Sequence, residues 1–129
     1  MTIKEVSTKY DLTPDTLRYY EKIGLIDNVP RNKSGIRNYG DKELKRIEFI
    51  KCMRASGVEI EVLSKYLRYM KDGKETVHIR KELLEEQRQK LEEKAKNIQD
   101  TINKLDYKIK LYEEIENGKR KDFLEEWKK

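Results

Sequence analysis

The stretch TPDTLRYYEKIGL, residues 13 to 25, places Arg18, Tyr19 and Tyr20 side by side. Arginine offers a planar fork of donors that matches phosphate or carboxylate oxygens, and tyrosine offers a hydroxyl on a stiff ring. A second group follows in RNKSGIRNY, where Arg31, Lys33 and Arg37 stand with no acid among them and Tyr39 closes the run. Their chemistry is that of holding an anion. The net charge of +5 leans the same way, though only leans, because Lys and Glu alternate along most of the chain. Other chemistries lack their residues. One cysteine, Cys52, rules out an internal disulfide and a Cys-based zinc cluster. One histidine, His78, makes no metal site alone. There is no Ser/His/Asp set, no Gly-rich phosphate loop and no sign of paired buried carboxylates, so an enzyme is not expected, nor a metal or cofactor.

The elements that must carry these residues can be read from caps and periodicity. Residues 2 to 9 form a short helix with Ile3 and Val6 on one face. Asp11 tolerates a left-handed turn. Thr13 is a good N-cap, Pro14 suits the first helical position, and Asp15 favours the positive end of the helix dipole. Leu17, Tyr20 and Ile23 or Gly24 fall on one stripe, and Gly24 ends the helix. Helix, tight turn, helix is a helix-turn-helix. Ser34-Gly35 then marks a turn between two short extended pieces, a small wing. Asp41 caps a third helix with Leu44, Ile47, Ile50 and Met53 inside, broken by Gly57. A fourth runs from about 59 to 71, with Ile60, Leu63 and Leu67 inward, broken by Asp72-Gly73.

From 76 to 117 there is neither Pro nor Gly. Leu84, Leu91, Ile98, Leu105 and Tyr112 recur every seven residues, and Ala95, Ile102 and Ile109 fall four after their counterparts. That is a heptad seam, weakest at its first end, where Lys81 and Arg88 occupy seam positions. Such a helix runs roughly 60 Å and needs a partner; a second copy in a two-fold dimer is the simplest one. Charged residues make up 43% of the chain, too many for one globular core, which fits a small core joined to a long solvated helix. The expected fold is mostly α. It comprises a winged helix-turn-helix domain over 1–72, a dimerising coiled-coil helix over 73–118 and a short amphipathic C-terminal helix over 119–129, with Phe123, Leu124 and Trp127 on one side. No membrane span, no signal peptide and reduced thiols make the cytoplasm the expected compartment.

IKEVSTKYDLTPDTLRYYEKIGLI, followed by RNKSGIRNYGDKELKRIEFIKCMRASGVEIEVLSKYL and a long heptad helix, resembles the MerR family of bacterial transcription regulators. The motif match covers residues 2 to about 70; the heptad helix agrees in kind. The resemblance implies that the second helix enters the major groove of double-stranded promoter DNA, with Arg18 and Tyr19 clamping phosphates, and that Arg31, Lys33, Arg37 and Tyr39 grip the flanking backbone. Thr13, Asp15 and Thr16 stand nearest the bases; Asp15 either accepts from a cytosine amino group or serves the helix dipole. Tyr20 lies on the Leu17 side and belongs to the core. The resemblance further implies a dimer on a two-fold operator that bends and untwists an overlong promoter, acting on RNA polymerase indirectly.

The segment IEFIKCMRASG resembles the thiol- and aldehyde-responsive branch of that family, the NmlR and AdhR type, in which one cysteine sits at this place. The matching residue is Cys52. Lys51 and Arg54 would favour its thiolate, and electrophiles prefer thiolates. Glu48, one turn earlier, works against this. Phe49 and Met53 flank it, so Cys52 is alternatively a small buried hydrophobe. The regulator is then one with another effector or none. A third alternative is a coiled-coil interaction module, against which the basic wing and the Arg-Tyr pair argue.

Overall fold

In the computed structural model, which describes residues 1–121, every regular element is a helix. The order is α1 (Ile3–Tyr10), α2 (Pro14–Lys22), α3 (Asp41–Ala55), α4 (Ile60–Asp72), a single 3-10 turn (Lys74–Thr76) and α5 (Val77–Glu116). Local chemistry accounts for the boundaries. Thr2 caps α1: its hydroxyl accepts the Glu5 N–H at 3.2 Å while the Glu5 carboxylate accepts the Thr2 N–H at 2.9 Å. Asp11 takes the left-handed conformation (φ 53°, ψ 48°) expected of it, which turns the chain into the next cap. Thr13 then accepts the Thr16 N–H at 3.1 Å, and Pro14 occupies the first turn of α2. Gly24 follows α2 at φ +82°, letting the Leu25 and Ile26 N–H groups return to the Tyr20 carbonyl.

Three expectations change here. The wing has no strands: a lone bridge joins Arg31 to Arg37. Two backbone bonds cross it, Asn32 N–H to the Ile36 carbonyl at 2.8 Å and Asn38 N–H to the Pro30 carbonyl at 2.7 Å. The Asn32 side-chain oxygen closes the turn by accepting the N–H groups of Ser34 (2.9 Å) and Ile36 (3.0 Å), which leaves the extended pieces too short for strands. Asp41 does not cap α3. Gly40 is the cap residue, and Glu43, three residues on, reaches back to accept its N–H at 3.0 Å. The third change concerns Tyr39. Its N–H donates to the Met1 carbonyl at 2.7 Å, its carbonyl accepts from the Met1 amino group at 2.8 Å, and its ring is 2% exposed.

The chain divides into two compact units, Met1–Gln87 and the described residues from Arg88 onward. The core of the first takes Val6 from α1, Leu17 and Tyr20 from α2, Ile47 and Ile50 from α3, and Leu63 and Leu67 from α4. At about 1.5–3 kcal/mol per buried aliphatic side chain, these contacts fix α2 to its neighbours. In the second unit α5 continues with no buried residue. Ile98 is 61% exposed, and Leu105, Ile102, Ile109 and Tyr112 are exposed as well. The amphipathic helix expected over 119–129 lies largely outside the described residues.

Candidate nucleic-acid interface

Helix α2 divides its residues sharply. Leu17 and Tyr20 are buried, whereas Asp15, Arg18 and Tyr19 face solvent and Thr16 is half-exposed. The buried pair anchors a nine-residue helix that would not hold its shape alone, so the outward groups are presented from a fixed base. At the N-terminal end the Thr13 and Thr16 hydroxyls lie 2.8 Å apart. Arg18 donates through Nη1 to the Asp15 carboxylate at 2.9 Å. This pair is exposed and weak, and it holds the guanidinium along the helix surface until a stronger anion competes. Tyr19, half-exposed, leans on Tyr20 with ring centroids 6.5 Å apart at 49°. The contact steadies the ring, about half of which stays open to solvent.

The wing residues do not form the uniform basic run that the sequence suggests. Arg31 donates to the Gly35 carbonyl at 2.8 Å and stays exposed; Lys33 is exposed at the turn. Arg37 is different. Its Nε donates to Glu21 at 2.7 Å in a largely sheltered pair (Arg37 side chain 23% exposed, Glu21 13%), and the other Glu21 oxygen accepts the Val29 N–H at 3.4 Å. Arg37 therefore ties the wing to α2 with its charge compensated by Glu21, whereas Arg31 is held only by a carbonyl and Lys33 stands exposed. Tyr39, expected to grip the DNA backbone, is instead a core residue. Burial raises its hydroxyl above the usual tyrosine range, and that hydroxyl has no hydrogen-bond partner among the described residues. A ring with 2% of its surface exposed has no edge to offer a phosphate.

Sequence reasoning missed Glu21, which joins the wing to α2, and, although it placed α4, it gave the outer residues of that helix no part in the site. Ser64, Arg68 and Lys71 line a hollow of about 180 Å³ beside Ile23 and Gly24, at the end of α2. Lys71 is held by the Asp27 carboxylate at 2.8 Å, and that contact keeps the carboxyl below its usual range. The Leu63/Leu67 stripe carried the signal, since it turns Arg68 outward on the same helix.

Cys52 is exposed on α3, so the buried-hydrophobe alternative does not describe this chain. Its two cationic neighbours are occupied elsewhere. Lys51 donates to the Tyr10 carbonyl, and Arg54 donates to the Val58 carbonyl at 2.9 Å. Glu48 accepts from the Tyr10 hydroxyl at 2.9 Å. His78 pairs with Glu82 at 2.8 Å, one turn along α5. Among the described residues there is no group of three His, Cys, Asp or Glu side chains placed to hold a metal, and no helix long and apolar enough to cross a membrane.

The geometry has known counterparts. The model of the MerR HTH family regulatory proteins matches residues 1–70. The HTH-type transcriptional regulator AdhR of Bacillus subtilis is 50% identical over 91 residues, covering 70% of this chain and 65% of that protein. A crystal structure of a chain from Listeria monocytogenes assigned to the same family superposes with a TM-score of 0.82 at 42% identity, covering 88% of this chain and 86% of the other. HiNmlR, a MerR family regulator lacking the sensor domain and solved bound to promoter DNA, superposes with a TM-score of 0.78 at 25% identity over 90% of this chain and 92% of its own.

Proposed function

The chain belongs to the MerR family of helix-turn-helix regulatory proteins, and from that premise we propose that it binds duplex promoter DNA as a homodimer and regulates transcription there. The observation that carries this is α2: two buried residues fix it, Arg18 and Tyr19 stand exposed on it, and the Glu21–Arg37 pair ties to it the wing that carries the exposed cations Arg31 and Lys33. The helix lies in the major groove with Thr13, Asp15 and Thr16 nearest the bases, while Arg18, Tyr19, Arg31 and Lys33 contact phosphates. Residues 73–118 form the dimerising helix through its exposed leucine-isoleucine stripe, so two heads meet successive turns of DNA. The pair deforms the operator, at a cost of about 1–6 kcal/mol for a site of a few turns, and RNA polymerase reads the altered promoter. The likeness to a regulator solved on promoter DNA supports the same docking.

The test is fluorescence anisotropy with a labelled duplex at several salt concentrations. Log K should fall linearly with log salt, by about 0.9 for each phosphate contact. Flat salt dependence together with a solution dimer would leave the coiled-coil interaction module as the better description.

The signal is an electrophile that modifies Cys52. The exposed sulfur and the likeness to AdhR over 91 residues support this. Because Lys51 and Arg54 are engaged by carbonyls, access rather than cationic activation exposes the thiol to attack. A Cys52→Ser protein should bind operator as before and lose its response; normal induction of that variant in cells would mean that another effector, or none, operates.

A further inference from the structure

Between α3 and α4, within the unit Met1–Gln87, lies an open groove of about 280 Å³ that the interface described above does not use. Its two sides differ in chemistry. Phe49, Tyr66 and Met70 line it together with the buried Leu67, and the Phe49 and Tyr66 rings lie 5.9 Å apart and 34° from parallel. Both rings are half-buried and Met70, an unbranched and adaptable side chain, is 39% exposed, so apolar surface stays open to a guest. Lys42, Lys45 and Arg46 line the same groove from α3, at helical spacing with Phe49, so one face of that helix presents both the charge and an aromatic ring. Their charge is only partly answered. Asp27 is held by Lys71 at 2.8 Å and meets Lys42 more loosely, at 3.7 Å. Arg46 donates to the neutral Leu25 carbonyl at 3.4 Å, although its charge also reaches Asp27. The exposed Lys45 ammonium has no partner among the described residues.

An unpaired cation beside an open apolar surface selects a guest with a negative charge at one end and an apolar body at the other. The body gains by leaving water, while the anion stays at the rim, where neither it nor the ammonium is fully stripped of water. Size narrows the class. Small-molecule sites span about 300–1,000 Å³, so a groove at the lower edge of that range takes one ring or a short branched chain. We propose that this groove binds a small amphipathic carboxylate, with the anion at Lys45 and the apolar body against Phe49, Tyr66 and Met70. The binding is non-covalent and depends neither on the Cys52 thiol nor on the pairing of α5. Its consequence is mechanical. The guest touches α3 and α4 at once, so occupancy holds the two helices at one spacing and gives the regulator an input separate from the thiol on α3.

The probe is 4-phenylbutyrate, titrated into the full-length protein by isothermal calorimetry and followed at the Met70 methyl group by carbon-13 NMR, with that signal assigned through Met70→Leu. Binding should saturate with a Kd of about 1 mM or tighter, and the Met70 signal should move with the same midpoint. Acetate has the charge without the body, and 4-phenylbutylamine has the body with the opposite charge; each should bind at least about tenfold more weakly. This comparison of ligands needs no variant. Lys45→Glu and Met70→Glu, both changes at exposed positions, should each weaken 4-phenylbutyrate about tenfold or more, Lys45→Arg should retain it, and Lys4→Glu should leave it unchanged. A silent titration, which is the result if another chain covers the groove in the assembled protein, overturns the proposal. Binding that accepts 4-phenylbutylamine equally well, or that persists in both Lys45→Glu and Met70→Glu, overturns it too.

Discussion

Replacing Tyr39 by Phe removes one hydroxyl and keeps the ring, and the structure gives this change a definite sign. The ring is 2% exposed and its hydroxyl has no partner among the described residues. A buried polar group left unpaired costs about 1–3 kcal/mol, so its removal should stabilise the protein, by about 1 kcal/mol at the low end of that range. At fixed protein concentration this amounts to a rise of about 4 °C in Tm, read by circular dichroism or calorimetry. Tyr39→Ala should do the opposite, because losing the ring opens a cavity and costs about 3–5 kcal/mol. A second check comes from alkali. Burial raises the folded-state pKa of Tyr39, so the unfolded chain loses its proton first, near pH 10; stability present below that pH declines as pH rises through the folded value. Tyr39→Phe should therefore show a shallower alkaline limb than wild type, with Tyr10, whose hydroxyl is raised chiefly by burial and then by Glu48, supplying what remains. DNA affinity should be unchanged. If Tyr39→Phe destabilises the protein by 1 kcal/mol or more, or weakens DNA binding about tenfold, the hydroxyl has a partner or a phosphate to hold, and its assignment to the core is wrong.

The other predictions follow from the charged contacts. Asp15→Asn frees Arg18 from an exposed pair worth under about 1 kcal/mol, so duplex affinity should rise by less than about fivefold, and Arg18→Ala should lower the salt slope by about one. Glu21→Gln breaks the sheltered tie to Arg37; it should cost about 2 kcal/mol in urea unfolding and weaken DNA binding, because the wing loses its position relative to α2. Asp27, held low by its hydrogen bond from Lys71, contributes stability present above pH of about 4 and lost as pH falls through its folded value. Asp27→Asn should flatten that acid limb in pH-dependent unfolding. Ile102→Asp places a charge in the α5 stripe and should yield a monomer by sedimentation at micromolar concentration.

What could be read from the sequence was what depends on neighbours a few positions apart. Thr13 and Pro14 start α2 because a hydroxyl and a missing N–H suit a helix start whatever the rest of the chain does, and Asp11 takes the left-handed turn for a similarly local reason. The helix-turn-helix and the long α5 follow from such signals. Cap position is less secure: Asp41 has the right side chain, but Glu43 reaching back to the Gly40 N–H moves the start by one residue. The failures lie where distant residues meet. Glu21 and Arg37 are 16 positions apart, and Lys51 and Tyr10 are 41 apart. No periodicity marks either pair.

Those long-range pairs nevertheless decide which cations remain available to DNA. Counted along the chain, Arg37 and Lys51 look as free as Arg18 or Lys33. In the fold, Arg37 is spent on α2 and Lys51 on the end of α1, and each contact fixes the frame from which another group projects. Burial does the same for the tyrosines: Tyr19 and Tyr20 are adjacent, yet one anchors the helix and the other faces out. A substitution at Glu21 should thus weaken DNA binding although Glu21 touches no DNA, whereas one at Tyr39 that preserves the ring should leave it alone although Tyr39 ends the basic run. Which basic groups are held by sheltered partners and which stay at the surface is settled by contacts between elements rather than by the run of charges in the sequence.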